Sequence, residues 1–152
     1  MSDSNLIAES AGAAGATARY SIGIDLGTTH CALSYVDRSA SDGDTVAQGV
    51  LDIPQLTGPA SVDAKPLLPS FLYLPHESEL TPADMALPWG ASDDYVVGEF
   101  ARSRGAATPI RLVSSAKSWL CHPGVDRRAP LLPADAPVEV QRVSPLTASI
   151  RY

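Results

Sequence analysis

Residues 20–37 read YSIGIDLGTTHCALSYVD. Tyr20, Ile22 and Ile24 alternate with Ser21, Gly23 and Asp25, the two-residue period of a strand whose successive side chains point to opposite faces. Leu26 and Gly27 interrupt the period. Ala32, Leu33, Tyr35 and Val36 then resume a strand-forming pattern that ends in the turn-rich DRSASDGD of 37–44. The unit predicted is a β-hairpin with Gly27-Thr28-Thr29 at its tip.

That tip concentrates polar chemistry. A strand ending in Asp25 and turning through Gly27 into two threonines brings together a carboxylate, a close backbone approach and two hydroxyls, the parts that a magnesium–polyphosphate site needs. Asp25 suits Mg²⁺, which takes oxygen ligands and keeps several waters, so the carboxylate would hold the ion directly or through those waters. Gly27 has no Cβ and lets backbone N–H groups come near phosphate oxygens, while Thr28 and Thr29 add N–H and O–H donors. A plain Gly-Thr turn with an Asx-type cap fits the same residues. At usual residue frequencies, however, D-x-G-T-T arises by chance in only roughly two of a thousand chains this long, which favours the phosphate reading. Neither G-x-x-x-x-G-K-[ST] nor G-x-G-x-x-G occurs, and this argues against P-loop and Rossmann alternatives.

Outward from the hairpin, residues 1–18 are low in complexity and read as a flexible leader, leaving 19–152 as the folding unit. A third strand is expected around Val46–Ile53, followed by a loop to Pro66 and an apolar run Phe71–Leu74 after Pro69-Ser70. Segment 75–94, with Pro75, Pro82 and Pro88, reads as an exposed excursion. Tyr95–Gly98 resumes a strand edge, and Glu99–Arg104 is helix-compatible. Ser114 or Ser115 caps a short helix over Ala116–Leu120, stopped by His122-Pro123-Gly124. Residues 129–137 read as loop, Val138, Val140 and Val143 as one more strand, and Ser144-Pro145 as a helix start. That last helix has about eight residues before Tyr152, below the roughly 12–15 at which isolated helices become marginal, so the sequence is expected to be an amino-terminal fragment of something longer.

Composition bounds the partners. The 152 residues are 45% hydrophobic and 18% charged, enough apolar side chain for a core, while eleven Gly and thirteen Pro assign much of the length to turns. Eleven basic against seventeen acidic residues give a net charge of −6, which repels nucleic acid and anionic membrane surfaces. No secretory signal or membrane span is visible, so the expected location is cytoplasmic. Cys31 and Cys121 stand far apart without a CxxC and read as buried reduced thiols; the three histidines follow no zinc-ligand spacing.

The run 20–37 closely resembles the first phosphate hairpin of the Hsp70 chaperone nucleotide-binding domain, within the actin/hexokinase-like ATPase superfamily. Two further segments resemble that family: Pro69-Ser70-Phe71-Leu72, like its Pro-Ser strand, and VVGEFARSRGAATPIRLVSSAKSWL at 96–120, like its V-G-x-x-A…P…K-x-x-L stretch. The resemblance is specific in the hairpin and around Lys117, and loose over 38–66, 75–94 and 122–137. His30 stands where the family usually has Asn.

The resemblance implies an α/β fold, a partial ribonuclease-H-like ATPase lobe with β-hairpins flanked by short helices. It implies that ATP and Mg²⁺ are the cofactors, with Asp25 in the metal shell and Gly27, Thr28 and Thr29 on the phosphates. Lys117, one of only two lysines, matches the catalytic lysine that approaches the terminal phosphate. Trp119 and Leu120 are expected in the core. The parent would be an ATP-driven chaperone in protein folding and stress response, meeting unfolded polypeptide and co-chaperones through regions outside this chain. The chain alone, with half a phosphate clamp and uncovered sheet edges, is expected to bind ATP weakly or not at all and to be poorly soluble or molten. A sugar or small-metabolite kinase shares the hairpin but lacks the support of Pro69-Ser70 and Lys117, and a non-catalytic relic would keep the hairpin as structure only.

Overall fold

The computed structural model describes residues 18–90 and 93–152. The leader expected over 1–18 therefore lies, Ala18 apart, outside the described residues. β1 (Tyr20–Leu26) and β2 (His30–Asp37) form the expected antiparallel hairpin, with Ile22 opposite Tyr35 and Ile24 opposite Leu33. The pleat puts Tyr20, Ile22, Ile24 and Leu26 on one face and Ser21, Gly23 and Asp25 on the other. Every residue of β1 is exposed. Across the open end of the hairpin Arg19 donates to Asp37 at 2.9 Å, and this guanidinium, helped by Ser39, holds the Asp37 carboxyl far below the usual carboxylate range.

Beyond the hairpin, β3 (Gln48–Val50) pairs with the outer half of β2, so the strand expected over Val46–Ile53 is real but shorter. It stops because Ile53 begins a different sheet. Residues 54–66, expected as loop, form most of a second hairpin of β4 (Ile53–Gly58) and β5 (Ser61–Lys65), with Pro54 opposite Ala64. Both strands of a two-stranded sheet are edges, where proline is tolerated, so the prolines that pointed to a loop do not prevent pairing. β6 (Leu68–Pro69) then pairs with the start of β2, His30 lying opposite Pro69.

The core forms around β7 (Phe71–Tyr73), central in a three-stranded sheet between β8 (Val96–Val97) and β9 (Leu112–Ser114). Its apolar run is buried on both faces. Leu72 and Leu74 join Val113, Ala116, Leu132 and Val143 on one side; Tyr73 joins Leu56, Val96, Phe100 and Ala101 on the other. The second cluster is closed by α1 (Gly98–Ala107), whose inward residues include Phe100, Ala101 and Gly105. Val97 has no side-chain oxygen to cap this helix. Buried Gln55 of β4 caps it instead, its Oε1 accepting the Glu99 amide at 3.0 Å while its Nε2 donates to the Leu67 carbonyl at 2.9 Å. Gly98 makes the approach possible, with φ at +77° and a position where a Cβ would lie 2.6 Å from Leu68 and 2.7 Å from Gln55.

α2 (Ala116–Leu120) has the expected limits, but Ser115 adopts a left-handed conformation with φ at 55° and makes no capping bond, so the predicted serine cap is absent. Trp119 packs against the core as expected, and Leu120 is half-buried. The strand expected over 138–143 does not form. Val140 donates to Pro137 in a turn, Val138 is 92% exposed, and a single bridge joins Val143 to Leu132. Three valines within six residues lack a neighbouring strand there: the Val140 amide goes into the turn after Pro137, and Val143 exchanges its bonds with Leu132 alone. α3 (Pro145–Arg151) packs on α2 and starts as predicted, the Ser144 hydroxyl accepting the Thr147 amide at 3.0 Å. Both cysteines are free thiols; Cys31 is buried, whereas Cys121, beyond the end of α2, is exposed rather than buried as expected. The excursion 75–94 is exposed over much of its length. It contains a 3₁₀ turn, Pro82–Met85, with a capping box of Thr81 and Asp84, and Met85 and Leu87 of this stretch reach the second cluster.

The architecture is thus mixed α/β, of small antiparallel sheets and few short helices. Among the described residues no helix is long and apolar enough to cross a membrane.

Candidate functional site

The hairpin tip is gripped from two places distant in sequence. Ser70, between β6 and β7, donates its hydroxyl to the Gly27 carbonyl at 2.8 Å and its amide to the Thr29 carbonyl at 2.9 Å. Its oxygen also lies 3.5 Å from the Cys31 sulfur. From the same end of the core sheet, just past β9, Lys117 on α2 donates its Nζ to the Leu26 carbonyl. Three segments spread over about ninety residues therefore meet at one bend. They do so because Ser70 and Lys117 both hang from the β7–β9 pair, with Phe71 opposite Ser114.

The bend itself is tight. A Cβ on Gly27 would lie 2.1 Å from the His30 carbonyl oxygen, inside any allowed contact, so only glycine fits. Thr28 and Thr29 are exposed, and their amides donate to no acceptor among the described residues. Asp25 is exposed on the face it shares with Ser21 and Gly23, beside a shallow open depression whose lining includes Gly23, Ala32, Ser34 and Val50. No ion pair joins Asp25 to Lys117, so the lysine is held by a backbone carbonyl rather than by the acid.

The structure brings Gly27, Thr28, Thr29 and Lys117 to one end of the hairpin and sets Asp25 one residue before Leu26, whose carbonyl Lys117 holds. The chemistry of the set fits a hydrated Mg²⁺ with a phosphate chain: one solvent-facing carboxylate, two unengaged amides, two hydroxyls and one ammonium. Among the described residues no three of His, Cys, Asp and Glu cluster as a metal site. From sequence, Ser70 shows only its likeness to a Pro-Ser strand; its grip on the bend becomes readable once β6 is known to lie against β2. His30 is half-buried at the start of β2, its backbone paired with Pro69.

No family model matches this chain, and no curated protein or solved structure matches it.

Proposed function

We propose that this chain carries the first phosphate-binding hairpin of an Hsp70-like, ATP-hydrolysing chaperone, with Asp25 toward Mg²⁺, the 27–29 bend toward the phosphates and Lys117 toward the terminal phosphate. The observation that supports it most is the convergence of Lys117 on the Leu26 carbonyl, because it brings an ammonium to a bend whose Thr28 and Thr29 amides have no acceptor among the described residues. Bound Mg²⁺ would neutralise charge on the phosphate chain. The protein's own residues do the rest. Gly27 keeps the bend narrow, Ser70 fixes its carbonyls inward through two bonds, and the Thr28 and Thr29 amides face outward for phosphate oxygens. Lys117, a compact cation with three donors, exchanges the Leu26 carbonyl for a phosphate oxygen on which charge builds during transfer.

The hairpin offers one wall of such a site, and its exposure means that the isolated chain binds Mg-ATP weakly or not at all. Titration calorimetry with Mg-ATP checks this, and tight stoichiometric heat would overturn it. On this reading, in an ATPase-competent protein containing these residues, Lys117→Ala is expected to lower turnover by about 10²–10³, a loss typical for removing one transition-state charge donor, with nucleotide affinity little changed. Equal losses in both would assign Lys117 to ground-state binding. Phosphate transfer to a sugar hydroxyl instead of water would move the protein to the kinases, and absence of any nucleotide turnover would leave the hairpin as structure alone.

A further inference from the structure

We propose that the free edge of β1 is a self-recognition surface, through which two copies of this chain join by antiparallel pairing of Tyr20–Ile24 with the same segment of the second copy. Among the described residues β1 is hydrogen-bonded along one side only, to β2. The Arg38 amide donates to the Arg19 carbonyl at 2.8 Å, which fixes the phase of the ladder. Odd-numbered residues of β1 turn their backbone groups toward β2, and Tyr20, Ile22, Ile24 and Leu26 turn theirs to the open side. The Leu26 carbonyl on that side is already held by Lys117, which leaves Tyr20, Ile22 and Ile24 as the usable rungs.

Charge selects the register. With the two-fold axis at Ile22, Tyr20 lies opposite Ile24 of the second copy, about six backbone hydrogen bonds form, and Arg19 falls opposite Asp25 of the second copy on one face. Both pairs form at once because the axis repeats them. Arg19 holds Asp37 with Nε and Nη2, and its Nη1 and second Nη2 hydrogen remain to be offered. A register centred on Gly23 instead draws Leu26 into the ladder against Lys117 and leaves Asp25 facing Ser21. On the other face, Ile22 and Ile24 are each 64% exposed, and Ile22 borders an apolar depression with Tyr20, Leu33, Tyr35 and Leu51, so pairing also joins two apolar faces into one. The 27–29 bend lies beyond the ladder and stays accessible, whereas Asp25, paired with Arg19 of the second copy, is withdrawn from the metal position proposed for it, so dimer and Mg²⁺-loaded site exclude each other. A self-complementary edge closes as a dimer and does not propagate.

Sedimentation velocity on the 152-residue chain tests this over a range from about 10 to 200 μM, where weak strand-mediated pairs equilibrate. A reversible monomer–dimer equilibrium is expected. Ile22→Lys places two ammonium groups at the axis and is expected to give monomer. Arg19→Asp and Asp25→Arg, each alone, set like charges opposite and are expected to give monomer, whereas an equimolar mixture of the two restores dimer because every cross pair again joins opposite charges. A damaged fold would not be rescued by mixing. A wild-type chain that stays monomeric throughout overturns the proposal. So do open-ended polymers, or a mixture of the two charge variants that remains monomeric.

Discussion

Two strands of similar apolar content behave in opposite ways. β7, at the centre of its sheet, sends Leu72 to one core cluster and Tyr73 to the other, and both side chains are fully buried. β1 alternates Tyr, Ile, Ile and Leu with small and polar residues, and none of its seven residues is buried. The difference teaches that hydrophobic pattern sets which side chains share a face, while burial depends on whether another element arrives to cover that face. β7 has two flanking strands and α1; among the described residues β1 pairs with β2 alone.

The largest effect that tests this contrast is expected in β7. Leu72→Ala should lower unfolding free energy by about 2–5 kcal/mol in denaturant titration, since the cavity opens inside a cluster that cannot collapse freely. A loss under about 1 kcal/mol would mean that β7 is not the core. Next, Gly98→Ala should cost about 1–3 kcal/mol, because the left-handed φ is strained for alanine and the new methyl meets Leu68 and Gln55. Ser70→Ala links the two regions. It leaves the Gly27 carbonyl without its partner and should cost roughly 1–3 kcal/mol, with amide shifts at Gly27 and Thr29 that a purely local change in the core would not produce.

A pH dependence follows from Glu79, which receives the Tyr73 hydroxyl at 2.8 Å and pairs with Arg104. Burial pushes its carboxyl up, but the bonds from Tyr73, Arg104 and the His76 amide outweigh that and leave it below its ordinary 4.5. A carboxyl lowered in the folded state lends stability that is complete above the unfolded value and is lost as pH falls through the folded one. Thermal melts should therefore lose stability from about pH 4.5 downward, and Tyr73→Phe should shrink that loss by about 1 kcal/mol or less. The smallest effect belongs to β1: in dilute chain, Ile22→Ala should change stability by no more than about 0.5 kcal/mol, and a core-sized loss would show that its face is covered.

Much of this organisation can be read from the residues themselves. The 20–37 hairpin, the limits of α2 and the Ser144 cap follow from local period and capping chemistry, which a short window contains. Four things are not legible in this way. Pro54 obscures β4, whose pairing rests on β5. Val138–Val143 carries strand-forming residues but has no neighbour to pair with. The start of α1 relies on Gln55, forty-four residues earlier, and Ser115 sits in a left-handed turn imposed by the step from β9 into α2. At the candidate site the residue types at 25–29 and 117 are visible as chemistry, but their meeting point depends on the β7–β9 pairing.

The cap supplied by Gln55 carries one more consequence. A helix whose first turn is closed by its own serine or aspartate can begin as soon as those residues exist. α1 instead borrows its acceptor from the 53–65 hairpin, so its opening turn and that hairpin must rise and fall together. Solvent deuterium should reach the Glu99 amide only during excursions that also release the Leu67 carbonyl, making the two a single exchange unit despite the long stretch of chain between them.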